Sequence, residues 1–290
     1  MKKINYIFKY FIIITIIFMC SGCFKADEMQ GINIITTVYP LEYVLTNLYG
    51  NNSIVNSIYP DGVNVDEYKI TEKEYKDYSK KDLFVYNGLS KDKDIALKLI
   101  NKNKNILIMD SNYGMEQDYG GIEELWLNPS NLLMISQNIK NGLTELIDSK
   151  YIIDEINEKY NELKVELSEL DAEIKRLGEN ANNKTIIIAS PSLNFLSKYG
   201  FKTILLNDEK QNQKNIDEAI SEIKSNNTKY VFILDTQKEN EALKKVRNET
   251  NIEIIKIDSV DNMSDEQRNN KENYLTIMKK NIELLSKGVY

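Results

Sequence analysis

The chain has 290 residues, a formal net charge of −7, no histidine and two cysteines. Without imidazole, and with Cys20 and Cys23 both close to the N-terminus, Ser-His-Asp catalysis, Cys-His catalysis and every imidazole- or thiolate-ligated metal site in the folded part are excluded. The acidic balance argues against nucleic acid as partner and against a polybasic grip on anionic lipid, and it fits either a cationic ligand or a solvated acidic surface.

Lys2 and Lys3 precede an apolar run, Tyr10 to Met19, that leads into Cys20-Ser21-Gly22-Cys23. The run is shorter than the roughly 20 apolar residues needed to cross a hydrocarbon core, and small residues before a cysteine suit signal cleavage. The expectation is a lipoprotein signal over 1–22, cut before Cys23, whose thiol then carries lipid. An uncleaved membrane anchor is the alternative. Loss of Lys2, Lys3 and Lys9 takes the net charge of −7 three units lower. Either way the remainder would work on the extracytoplasmic face of the cell membrane.

That remainder exceeds what one hydrophobic core usually takes, so two domains are expected. Ile32 to Val38 reads as a strand, and Leu41, Val44, Leu45 and Leu48 fall on one face of a helix ending at Gly50. Ile54 to Ile58 reads as a second strand. Thr71 and Glu74 have capping-box spacing. Leu83 to Tyr86 and Ile106 to Met109 read as buried strands around a helix over Asp92 to Leu99. The alternation implies βα units and mainly parallel sheets.

Between Ile153 and Leu177 the apolar positions Ile153, Ile156, Tyr160, Leu163, Leu167, Leu170, Ile174 and Leu177 recur at steps of three and four. This predicts one helix on the order of 40 Å long at 1.5 Å per residue. A spine along two lobes and a coiled-coil seam compete as explanations. Beyond Lys184 the βα rhythm resumes: Thr185 to Ala189, a helix ending at Gly200, Lys202 to Leu206, a helix capped by Asn215 and Glu218, strands at Tyr230 to Leu234 and Ile252 to Ile257, and a helix over Asn273 to Lys287. The expected fold is α/β: an N-terminal lobe over 23–150, a linking backbone helix over 151–181 and a C-terminal lobe over 182–290.

Seven segments, in order, resemble the metal-binding solute receptors of zinc- and manganese-type ABC importers. Thr36 to Leu41 is similar to the family's opening strand and turn, and Gly62, Tyr68 and Thr71 match its GADPHDYEPT segment. Asp82 to Gly88 matches the strand that follows. Trp126-Leu127-Asn128-Pro129 resembles its WLDP element. Tyr160, Leu163, Leu167, Leu170 and Asp171 sit where its backbone helix carries a Tyr and Leu-Asp pattern. Tyr199-Gly200-Phe201 looks like its YGL, and Ile257-Asp258-Ser259 resembles the strand end that supplies its last ligand. The resemblance implies a lipid-anchored monomer that hands a divalent metal to an ABC permease and its ATPase.

The departures fall on the ligands. The family's first histidine falls on Asp66, with Glu67 beside it, and its second on Glu124. The third ligand falls on Ala189 or, one residue on, Ser190. Asp258 alone is retained. The resemblance therefore implies an oxygen site of Asp66, Glu124 and Asp258, with Ser190 as a weaker candidate and Glu67 and Asp235 behind it. Such hard ligands suit Mn(II) or Fe(II) better than Zn(II), although Zn(II) stays possible. Asp235 reads equally as a cap of the helix after it, and Tyr39-Pro40 and Asn128-Pro129 read as packing elements of the cleft walls. Three alternatives compete: a family remnant binding a non-metal solute or nothing, a surface interaction or adhesion lipoprotein, and a metal-assisted hydrolase. No phosphate-cradling glycine loop or nucleophile elbow supports the last.

Overall fold

In the computed structural model, residues 27–115, 124–208 and 212–290 are described. The signal and lipid-attachment readings at 1–22 and Cys23 lie outside them. Two four-stranded parallel sheets form the frame. The first contains β1 (Ile32–Thr36), β2 (Ser53–Ser57), β3 (Leu83–Tyr86) and β4 (Leu107–Asp110), in the order β2-β1-β3-β4. The second contains β5 (Thr185–Ile188), β6 (Lys202–Leu205), β7 (Tyr230–Leu234) and β8 (Glu253–Ile257), in the order β6-β5-β7-β8. Runs such as Thr185-Ile186-Ile187-Ile188 are rich in β-branched residues because strands of a parallel sheet are covered on both faces.

In the first lobe, α1 (Tyr39–Tyr49) follows β1, α2 (Glu72–Tyr78) and α3 (Asp92–Lys102) flank β3, and α4 (Pro129–Leu146) closes the lobe. The long helix α5 (Lys150–Asn180) has 31 residues, about 45 Å at the standard rise. In the second lobe come α6 (Gln213–Lys224), α7 (Glu241–Glu249), α8 (Asp265–Asn269) and α9 (Tyr274–Ser286). The apolar seam of α5 is buried at Ile156, Leu163, Leu167, Leu170 and Ile174 and packs on α1, α4 and α9. That placement selects the spine over the coiled coil, since the seam is already covered within the chain.

Thr71 and Glu74 make the capping box at the start of α2. One other local reading is corrected and one is given its helix type. Asn215 and Glu218 do not cap a helix: α6 starts earlier, at Gln213, so both lie within it. There Asn215 donates to the Leu205 carbonyl at 2.8 Å and Glu218 pairs with Lys202. The segment Pro191–Tyr199 is 3-10 rather than α-helical, and it stops where Gly200 takes φ 87°, a left-handed conformation that glycine adopts without a Cβ clash.

The lobes share one core. A continuous buried cluster runs from Ile34 and Leu83 in the first sheet through Leu163 and Leu170 of α5 to Ile188, Phe232 and Tyr274 in the second lobe. Smaller clusters fill the outer face of each sheet.

Candidate metal-binding cavity

In the first sheet the chain turns back between β1 and β3, so their carboxyl ends flank a crevice of the kind in which α/β sheets bind ligands. A cavity of about 20 Å³ lies there, lined by Val38 just past β1, by Asn87, Ser90, Lys91 and Asp92 after β3, and by Tyr59, Val65, Asp66, Glu124, Trp126 and Asp261. That is room on the order of one water molecule. Asp261 comes from the second lobe, in the loop after β8, and the cavity therefore sits between the lobes.

The loop carrying Asp66 is stitched to the opposite lobe. Gly62 N donates to Met263 O at 2.7 Å, and Asn262 Nδ2 donates to Pro60 O at 2.8 Å and Val63 O at 2.9 Å. Asn64 Oδ1 accepts from Asp66 N at 2.9 Å, which fixes the turn, while Lys91 Nζ lies 2.5 Å from Asp66 Oδ1. Glu124 stands just ahead of the 3-10 turn Leu125–Leu127 and accepts a hydrogen bond from the Ser192 hydroxyl of the second lobe. Burial raises its pKa, the Ser192 bond opposes that, and the charge of Asp66 adds to the rise. Asp92, 5% exposed at the start of α3, is also raised by burial.

The structure does not bring Asp258 to this cavity. Its Oδ1 accepts from Val260 N at 2.8 Å and its Oδ2 from Gln267 Nε2 at 2.7 Å, and it lines a separate hollow with Asp235, Gln267 and Glu272. The reason is the turn. Val260, fully buried, takes φ 58°, a conformation that β-branched residues rarely adopt, and it reverses the chain so that Asp261 faces the first lobe. Tyr39 N donates to the Asp261 carbonyl at 2.9 Å, and Trp126 Nε1 donates to the Ser259 carbonyl at 2.8 Å. Asp261 is 6% exposed. Burial, with the charges of Asp235, Glu124 and Asp66, pushes its carboxyl up to about 7 against the Ser259 hydroxyl bond.

The other candidates lie apart from the cavity lining. Ser190 is fully buried, its Oγ accepting from Ser192 N at 3.3 Å at the head of the 191–199 segment, and Ala189 packs in the outer core of the second sheet. Glu67 pairs with Lys238 across the lobes at 2.9 Å. Asp235 does not cap α7, whose cap is Asn240; it accepts from Ser259 N at 2.9 Å and so holds the loop that presents Asp261. The sequence reading missed Asp261, Lys91 and Asp92. Asp261 had a signal, as the second acid in the loop that begins at Asp258, but the backbone turn that chooses between them had none. Among the described residues, no group of three or more His, Cys, Asp or Glu side chains is gathered closely enough to hold a metal ion.

Two parallel α/β lobes on a backbone helix, with an acidic cavity between them, define a two-lobed solute-binding protein. The sequence pattern of the ZnuA family, described as zinc-uptake complex component A, periplasmic, matches residues 34–288. The chain belongs to this family, whose members are metal-binding solute receptors of ABC transporters and not enzymes. It is 24% identical over 278 residues to the iron-binding protein YfeA of Yersinia pestis, covering 91% of this chain and 88% of that protein. It is 24% identical over 315 residues to the manganese ABC transporter substrate-binding lipoprotein PsaA of Streptococcus pneumoniae, covering 100% and 99%. The crystal structure of the Zn(II)-bound ZnuA-like domain of Streptococcus pneumoniae AdcA shares the fold, with a TM-score of 0.72 at 19% identity over 89% of this chain and 99% of that one. Relatives named for iron, manganese and zinc thus all match.

Proposed function

We propose that this protein is the extracytoplasmic receptor of an ABC importer, held to the membrane by lipid on Cys23, and that it captures a divalent cation between its lobes for delivery to a permease driven by its ATPase. One observation carries the reading: Asp66, Glu124 and Asp261, remote in sequence and drawn from both lobes, line a single ion-sized cavity. Pockets for organic solutes are typically about 300–1,000 Å³, which favours an ion over a small molecule. Carboxylates are hard ligands, so Mn(II) or Fe(II) is the favoured cargo and Zn(II) the weaker one. Buried like charges resist ionisation together, and a bound cation relieves that and stabilises the closed form.

The test is isothermal titration of the purified protein with Mn(II), Fe(II), Zn(II), Mg(II) and Ca(II), beside Asp66→Asn, Asp261→Asn and Asp258→Asn. Mn(II) or Fe(II) should bind most tightly. Loss of a charged hydrogen-bonding ligand costs about 1.5–3 kcal/mol, so Asp66→Asn and Asp261→Asn should each weaken binding by roughly tenfold or more. Asp258→Asn, whose amide oxygen can still accept from Val260 N, should change it by less than about threefold. Indifference of the wild-type protein to every cation would sink the reading. Loss of binding in Asp258→Asn but not in Asp261→Asn would return the ligand role to Asp258.

A further inference from the structure

The cavity already contains a cation that belongs to the chain. Lys91, immediately before α3, places Nζ 2.5 Å from Asp66 Oδ1 and lines the same cavity. Its charge also bears on Glu124 and on Asp92. An ammonium and a metal ion seek the same carboxylate oxygens, and they repel each other when both are close.

We propose that the Lys91 ammonium is a tethered competitor for the cavity's cation, which a divalent ion must drive off Asp66 before it can bind and which keeps monovalent ions out. This rests on the reading that a cation is captured here. A tethered group competes at an effective concentration in the millimolar range or above. A monovalent ion brings no more charge than the ammonium it displaces, whereas a divalent ion brings twice as much, so the exchange favours divalent cargo. The lysine has a way out: its side chain is 49% exposed, and its flexible stem and strongly hydrated head let it swing into solvent. In this arrangement Asp66 is held by Lys91 and Glu124 by Ser192.

Mn(II) chloride is titrated into the purified wild-type protein, Lys91→Met, Lys91→Arg and Lys238→Met, each in sodium chloride and in tetramethylammonium chloride at one ionic strength. Lys91→Met should bind Mn(II) about three- to tenfold more tightly, given the modest strength of a half-exposed ion pair, and should become weaker in sodium than in tetramethylammonium. Lys91→Arg, which keeps the charge, should show neither the gain in affinity nor the sodium sensitivity of Lys91→Met. Lys238→Met, which breaks the Glu67 ion pair outside the cavity, should also match the wild type. Binding in Lys91→Met but none in the wild-type protein would overturn the proposal, since a lysine that bars every cation is a block and not an exchangeable competitor. Wild-type binding with no gain in a folded Lys91→Met would overturn it and leave the cation receptor standing. No Mn(II) binding by either, with melting curves showing both folded, would overturn both.

Discussion

Asp261 is the residue at which the site and its stability meet. Its carboxyl is held at about 7 in the folded protein by burial and by the neighbouring acids, against an ordinary value of 3.8. A carboxyl whose pKa is raised on folding favours the folded state while it is protonated, and that contribution drains away as pH climbs from the unfolded value to the folded one. In the cation-free protein, Asp261→Asn should therefore raise the melting temperature above pH 7 and make little difference near pH 4. Thermal unfolding across that range checks it, and an equal effect at both ends would refute the buried-acid account. The same substitution should weaken cation binding, so stability and capture oppose each other at this position. Asp66 and Glu124 entered the sequence reading through the family resemblance, and both line the cavity. The resemblance pointed to Asp258 and not to Asp261, and nothing in the residue types announces the left-handed turn at Val260 that separates them.

At the scale of elements, α5 shows how propensity yields to packing. Its repeat of apolar residues was plain in the sequence, yet its seating on the second lobe depends on Gly178. A Cβ built there would come 2.1 Å from the Tyr199 carbonyl oxygen. A glycine inside a helix ordinarily costs about 1 kcal/mol relative to alanine, so Gly178→Ala would stabilise an isolated helix. In the folded protein the opposite is expected, a loss of about 1–3 kcal/mol from overpacking, measurable as a lower denaturation midpoint in urea. A midpoint equal to or above the wild type would show that the 191–199 segment can move aside. Polar contacts fix the same junction: Tyr199 Oη donates to Asp171 Oδ1 at 2.6 Å and lies 3.0 Å from Asn128 Oδ1. The misread cap at Asn215 and Glu218 has a related cause, since the spacing of a capping box also occurs by chance inside a helix, where tertiary partners such as Leu205 and Lys202 claim the side chains.

For the whole molecule, the decisive fact is that the lobes share their largest core. Besides the shared apolar cluster, Arg268 donates to both Glu42 oxygens at 2.9 and 3.1 Å and to Asp61 at 2.7 Å. Tyr43 of α1 stacks on Tyr274 of α9 with centroids 5.6 Å apart, and Tyr274 Oη donates to the Trp126 carbonyl at 2.6 Å. Unfolding should accordingly be one cooperative transition, with calorimetric and van't Hoff enthalpies equal and Trp126 fluorescence changing together with far-ultraviolet circular dichroism. Two resolved transitions would mean that the lobes are energetically independent. Such a frame also restricts motion on binding to local closure around the cavity, because a hinge of large amplitude would have to open a packed core.

Period and order were written in the chain itself. Alternating apolar runs dictated two parallel α/β lobes, the seam from Ile153 to Leu177 dictated one long helix, and the ordered motifs from Thr36 to Ser259 marked the family, because these signals depend on neighbours a few residues apart; that the helix is a spine was decided by what covers its seam. The composition of the cavity was decided only in three dimensions. Which acid of the 258–261 loop turns inward follows from a backbone reversal, and that Lys91 reaches Asp66 follows from the packing of two loops of the first lobe; contacts between residues that far apart in sequence leave no local pattern to read.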